Sequence, residues 1–110
     1  MNPTIGRIVH YQLSDHDAAD INRRRADAEA YRLANPRPDQ SGDPGASGHV
    51  AHVGNRAAAG DCYPAVVVRT FGGTAANLSV LLDGTDTFWA TSRGEGDQPG
   101  QWVWPPRVGA

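Results

Sequence analysis

Arg23, Arg24 and Arg25 stand directly behind Asn22, three guanidinium groups in a row. Guanidinium offers planar, paired donors that suit phosphate and carboxylate oxygens. On a helix each step turns by about 100°, so three consecutive arginines spread over roughly 200° and cannot all face one ligand. One or two could meet a phosphate while the others pair with Asp20, Asp27 or Glu29. Arg23 with Asp27 and Arg25 with Glu29 have the i,i+4 spacing of helix-surface ion pairs. The run is either an anion site or a solvated, paired surface, and spacing alone does not choose.

A second cluster joins Phe88-Trp89 to Thr91, Ser92 and Arg93. An indole can stack on a heterocyclic base while hydroxyls and a guanidinium hold an attached phosphate. The alternative is that Trp89 is the central core residue. Trp102 and Trp104 flank Val103, so both point to the same face of a strand. That face either closes the core or offers a rigid aromatic wall. His49, His52, Asn55 and Arg56 make a third polar cluster, in which His52 and Asn55 are candidate ligand contacts. Two histidines three apart could hold zinc only if further donors converged. His10, His16 and Cys62 match no zinc spacing, so neither metal nor cofactor is expected.

Catalytic signatures are missing. There is no nucleophile elbow, phosphate-cradling GxxxxGK loop or HExxH pair. Asp83 and Asp86 flank a hairpin-type Asp83-Gly84 turn, where Asp serves turn geometry. Cys62 is followed by Tyr63 and Pro64, which do nothing evident to lower a thiol pKa. The chain reads as a binding protein, not an enzyme.

The elements that must position these groups follow from the patterning. Residues 4–13 alternate around Ile5, Ile8 and Val9 and predict a first strand. Ser14 with Asp17 three residues on is a capping box, and Asn35-Pro36 is a stop, so a helix is predicted over 15–34. Its large apolar residues are Ile21, Tyr31 and Leu33 alone, too few for independent docking, which predicts a homo-oligomer. Residues 35–48 read as a flexible Pro/Gly/Ser/Asp loop and 49–53 as a short strand. Beyond Cys62 the pattern is firmly β: CYPAVVVRTF, a Gly72-Gly73 turn, NLSVLLD, the Asp83-Gly84 turn, TDTFWATS, a Gly-rich loop, and WVWPPR ended by two prolines. One domain over 1–110 is predicted, mainly β (α+β), as a small SH3-like barrel with one helix inserted after the first strand.

Composition narrows the partners. The 110 residues carry 10 basic and 12 acidic side chains, a net charge of −2, so no global field draws the chain to nucleic acid or an anionic membrane. Every basic residue is Arg and none is Lys, which fits a GC-rich coding bias as well as anion recognition. One cysteine excludes an intrachain disulfide and fits a reducing compartment. The start, MNPTIGRIVHY, has no apolar signal region, and no stretch approaches the roughly 18 apolar residues of a spanning helix. A cytoplasmic setting is expected.

PTIGRIVHY, INRRR, AHVGN, AGDCYPAVVVR, LDGTDTFWATSR and WVWPPR, which together cover most of the chain outside residues 33–48, resemble as a set a family of small bacteriophage and prophage proteins. The resemblance implies a viral protein acting in the cytoplasm of a bacterial host. Small non-enzymatic phage proteins include virion parts, nucleic-acid binders and inhibitors of host defence, among them oligomeric sponges for cyclic-nucleotide immune signals. The first expectation is therefore an oligomeric sponge for a small phosphorylated, nucleotide-type ligand. The alternative is a structural or assembly component of the phage particle. A nucleic-acid-binding SH3-like module is the third reading, disfavoured by the negative net charge.

Overall fold

The computed structural model describes residues 1–34 and 54–107. The predicted 49–53 strand, the 35–48 loop and His52 lie outside the described residues. The elements run β1 (Ile8–Gln12), α1 (Asp15–Ala34), β2 (Cys62–Thr70), β3 (Ala76–Leu81), β4 (Thr87–Arg93) and β5 (Trp102–Val103). All strand pairs are antiparallel, in one five-stranded sheet of order β4-β3-β2-β1-β5. Among the described residues the fold is mainly β with a single helix.

The small SH3-like barrel expected from sequence is met in part: the strands form one antiparallel sheet that is not closed. β4 and β5 are the two edges and do not pair as strands. Past the end of β4 there is one parallel bridge, Glu95 with Trp102, in which Trp102 N donates to Gly94 O at 3.0 Å and Gly96 N donates to Trp102 O at 2.9 Å.

Period-two alternation divides the sheet into two faces. The register aligns Val9, Ala65, Val80 and Phe88 across four strands on the inward face. Tyr11, Leu13, Val67, Leu78, Ala90 and Trp102 join them in the core, and α1 adds Ala18 and Ile21 from the same side. The next row, Ile8, Val66, Ser79 and Trp89, lies on the outward face. Two bulges bend the sheet around β3. Val68 is extra between Val67, opposite Leu78, and Arg69, opposite Asn77. On β4, three steps from Ala90 to Arg93 oppose two from Leu78 to Ala76. Ser92 absorbs that extra residue with a φ of 53°, and its N–H donates to Asn77 Oδ1 at 2.8 Å.

The helix begins as predicted. Ser14 Oγ accepts from Asp17 N and Asp17 Oδ2 accepts from Ser14 N, both at 3.1 Å, the reciprocal pair of a capping box with Asp in the usual Glu place. Only its first half is docked. Asp17, Ala18 and Ile21 are buried, whereas Tyr31 and Leu33 are 70% and 71% exposed. Ile21 is therefore satisfied within its own chain, which removes one of the three side chains from which self-association was predicted.

Candidate functional site

On the inward face the polar groups close on one another. Asp17 is fully buried. Its Oδ1 accepts from Arg93 Nη2 at 3.0 Å, and its Oδ2 accepts from the Tyr11 hydroxyl in a short hydrogen bond. The Arg93 guanidinium also lies 5.6 Å from the centre of the Tyr11 ring. Burial, then the bond to Asp17, pushes the Tyr11 pKa well up, so the phenol stays protonated as the donor. Trp102 is fully buried beside this group, and its Nε1 donates to Thr74 O and Arg93 O at 3.0 and 3.1 Å. Trp104 meets it edge to face, with centroids 5.3 Å apart. Arg93 and Trp102, both expected at a ligand, are thus parts of the internal framework. A core tryptophan cannot wall an open site.

The arginine run is engaged in the same way. Arg25, whose side chain is only 9% exposed, makes a two-pronged pair with Asp86: Nε to Oδ2 at 2.9 Å and Nη2 to Oδ1 at 3.0 Å. Its Nη1 donates to Asn55 O at 3.0 Å. Arg24 Nη2 reaches the same Asp86 Oδ2 at 3.1 Å, and Arg23 pairs with Asp20 at 2.7 Å. The hydrogen bond to Arg25 is the main reason the Asp86 carboxyl is held below the usual carboxylate range, and it raises Arg25 in turn. Asn22 adds a two-way bond to the Ala57 backbone, at 2.8 and 3.0 Å. Asn55 donates from its backbone and side chain to Asp83 Oδ2, both at 3.1 Å. Gly54 approaches so closely that a Cβ there would sit 1.7 Å from Asp83 O. Asn22, Arg25 and Asn55 therefore fasten helix, 54–58 segment and β3–β4 turn together, and Asp86, read from sequence as a turn former, is the anion of Arg24 and Arg25, while Asp83 accepts from Asn55.

The outward face is the opposite case. Ile5, Val68, Arg69, Thr70, Asn77 and Trp89 line an open groove over the two bulges. Trp89 is 52% exposed there, so the core reading of this residue is not the one realised. Arg69 makes no ion pair among the described residues; its guanidinium lies 5.6 Å from the centre of the Phe71 ring. Asn77 accepts from Ser92 N, which leaves its amide Nδ2 as a donor. Thr91 and Ser92 are exposed on the neighbouring β4 backbone. Of the expected ligand contacts, Trp89 alone lines the groove; Thr91 and Ser92 are exposed on the same strand outside its lining. The structure holds Arg23, Arg24, Arg25, Asn55, Arg93 and Trp102 in other contacts. Arg69 was missed because a lone Arg after a Val run gives no spacing signal; the Val68 bulge that brings it into the groove is a feature of strand pairing.

Among the described residues no group of three or more His, Cys, Asp or Glu side chains could hold a metal ion. Partial desolvation pushes the Cys62 thiol up from its ordinary value, which lowers its nucleophilic thiolate fraction. No described helix is long and apolar enough to cross a membrane. No family model, curated protein or solved structure matches the chain.

Proposed function

We propose that this chain is a non-enzymatic, phage-encoded binding protein that sequesters a nucleotide-type ligand in the cytoplasm of a bacterial host, with the outward groove as its site. The observation that carries the reading is the pairing of a half-exposed Trp89 with Arg69, a cation that no carboxylate neutralises among the described residues. An indole face stacks any heterocyclic base, typically for about 1–3 kcal/mol. A guanidinium with no ionic partner can replace the water around a phosphate without first breaking an ion pair. Asn77 Nδ2 and the Thr70 hydroxyl supply hydrogen-bonding groups beside them. The Arg23–Arg25 run does not belong to this site, because Arg24 and Arg25 already share Asp86. For the architecture, we read the bent sheet as an SH3-like barrel left open between β4 and β5. The bulges at Val68 and Ser92 and the Glu95–Trp102 bridge support that reading.

The test is isothermal titration with linear mononucleotides, cyclic di- and trinucleotides and cyclic ADP-ribose isomers. At least one is expected to bind at micromolar strength or tighter, about −8 kcal/mol or better. Trp89→Ala and Arg69→Ala are each expected to weaken it tenfold or more, about 1.4 kcal/mol, while Arg23→Ala binds as wild type. Failure of every compound below about 100 μM, some −5.5 kcal/mol, removes the reading.

A second reading, a component of the phage particle, is favoured by the exposed second half of α1, which offers Tyr31 and Leu33. Finding the chain in purified particles, with no nucleotide binding, would establish it.

A further inference from the structure

The groove on the outward face holds a hydrogen-bond donor whose direction the fold sets. Asn77 Oδ1 accepts from Ser92 N at 2.8 Å. A backbone N–H can only donate, so the oxygen of this amide faces β4 and its Nδ2 is turned off that strand. Nδ2 makes no hydrogen bond among the described residues. The β4 bulge is the cause: Ser92, at a φ of 53°, turns its N–H onto the Asn77 side chain. On the other side of β3, Asn77 is the direct partner of Arg69. Directly opposed residues share a face, with Cβ atoms about 4.5–5.5 Å apart, and both of these line the groove. Trp89 stands opposite Ser79, two residues along β3 from Asn77, which makes indole and amide diagonal neighbours about 7–8 Å apart. An exposed indole, an oriented amide donor and a guanidinium without a carboxylate among the described residues thus follow one another across β4, β3 and β2.

Resting on the nucleotide reading of this groove, we propose that Asn77 and Arg69 form one phosphate cradle and that the groove takes a single nucleotide unit, a nucleoside monophosphate, with its base on Trp89. The guanidinium offers two parallel donors to two phosphate oxygens, and Asn77 Nδ2 offers a neutral donor to a third. Because the Ser92 N–H already holds the amide in place, little side-chain freedom is lost when the phosphate arrives. The same inventory limits the ligand to one unit. Trp89 is the one aromatic residue of the groove lining and Arg69 its one cation. The next ring, Phe71, already lies beside the Arg69 guanidinium, with 5.6 Å to its centre. A second base meets no second indole, and a second phosphate meets no second guanidinium in the lining. A cyclic dinucleotide therefore gains nothing over a monophosphate here.

The test is isothermal titration of the full chain with the four common nucleoside 5′-monophosphates, the matching nucleosides and a set of cyclic dinucleotides. At least one monophosphate is expected to bind one per chain, at least tenfold tighter than its nucleoside and no weaker than any cyclic dinucleotide. Two variants address Asn77. Asn77→Asp keeps an oxygen for the Ser92 N–H but replaces the donor with a carboxylate beside Arg69, and is expected to weaken the monophosphate at least tenfold with the melting temperature unchanged. Asn77→Ala removes the donor without adding charge and is expected to weaken it about fivefold. Neither variant is expected to change nucleoside binding. Monophosphate binding that both variants leave as in wild type, while Trp89→Ala and Arg69→Ala weaken it, overturns the cradle and leaves the nucleotide reading standing. Equal affinity for nucleoside and monophosphate overturns the phosphate assignment. Cyclic dinucleotides that bind where no monophosphate does overturn the single unit and again spare the broader reading. Silence from every compound overturns both.

Discussion

The inward and outward faces of this sheet each bring an arginine close to an aromatic ring, and they use the pair in opposite ways. On the inward face Arg93 lies over Tyr11, and both converge on the buried Asp17. On the outward face Arg69 lies over Phe71 near the exposed Trp89, with no carboxylate in reach among the described residues. The residue types are nearly the same, and burial and the presence of a carboxylate separate them. A buried charge must be paired, because leaving water unpaired is strongly unfavourable, so an inward arginine is committed to the fold. An exposed arginine keeps its hydration and can exchange it for a ligand's oxygens. Here the difference between a cation committed to a carboxylate and one that is not lies in its surroundings, not in its identity.

Breaking the inward assembly is expected to have the largest effect. Asp17→Ala leaves Arg93 without its carboxylate, Tyr11 without its acceptor and the helix without half of its capping box. Removing one partner of a buried pair typically costs about 3–5 kcal/mol. For a domain of this size that lowers the melting temperature by more than about 10 °C. A calorimetric scan showing a loss of only a degree or two would mean that the inward pair is as dispensable as a surface one.

Arg25 comes next, since Asp86 at the far end of its pair keeps some contact with water. Arg25→Ala is expected to lower stability by about 1.5 kcal/mol, the scale of one charge-assisted bond. The loss is read from urea midpoints at constant slope. Equal losses for Arg23→Ala, which pairs only with Asp20 at the surface, would erase the distinction drawn within the run.

A smaller effect appears in acid. The folded-state pKa of Asp86 lies below its ordinary 3.8, held there first by the hydrogen bond from Arg25. A carboxyl shifted this way contributes stability that is fully present above the unfolded value and is lost as pH falls through the folded one. Denaturant titrations are therefore expected to show stability falling below about pH 4, with a shallower fall in Asp86→Asn. An identical slope in both proteins would assign the acid sensitivity to other carboxyls.

The outward face sharpens the contrast by doing almost nothing to the fold. Arg69→Ala is expected to change stability by no more than about 0.5 kcal/mol, the range of ordinary surface substitutions. A loss of 2 kcal/mol or more by urea unfolding would show that Arg69 is a structural cation after all.

Much of the architecture was legible because it rests on neighbours in sequence. The Ser14–Asp17 capping box and the period-two runs after Cys62 state their conformations locally, and the start of the helix and the strands after Cys62 lie where they say. Where the strands stop short of a closed barrel was not legible, because closure depends on the summed register of all five. The candidate site was harder still. Trp89 was visible as an aromatic beside polar groups, but not that Ala90 and Leu78 fill the core while Trp89 faces out; one step of register would have exchanged them.

By itself the sequence determined the class of the fold, the single helix and its start, and the lack of any familiar catalytic frame, since each is written in residue order over a few positions. Only the tertiary structure decided that Arg25 and Arg93 are committed to carboxylates and that Arg69 is not. Arg25 meets Asp86 across 61 residues and Arg93 meets Asp17 across 76, while Arg69 enters the groove through a bulge in its pairing with β3. No spacing rule reaches across such distances. The partner of a charge is fixed by which surfaces the core brings together, and that depends on the whole chain at once.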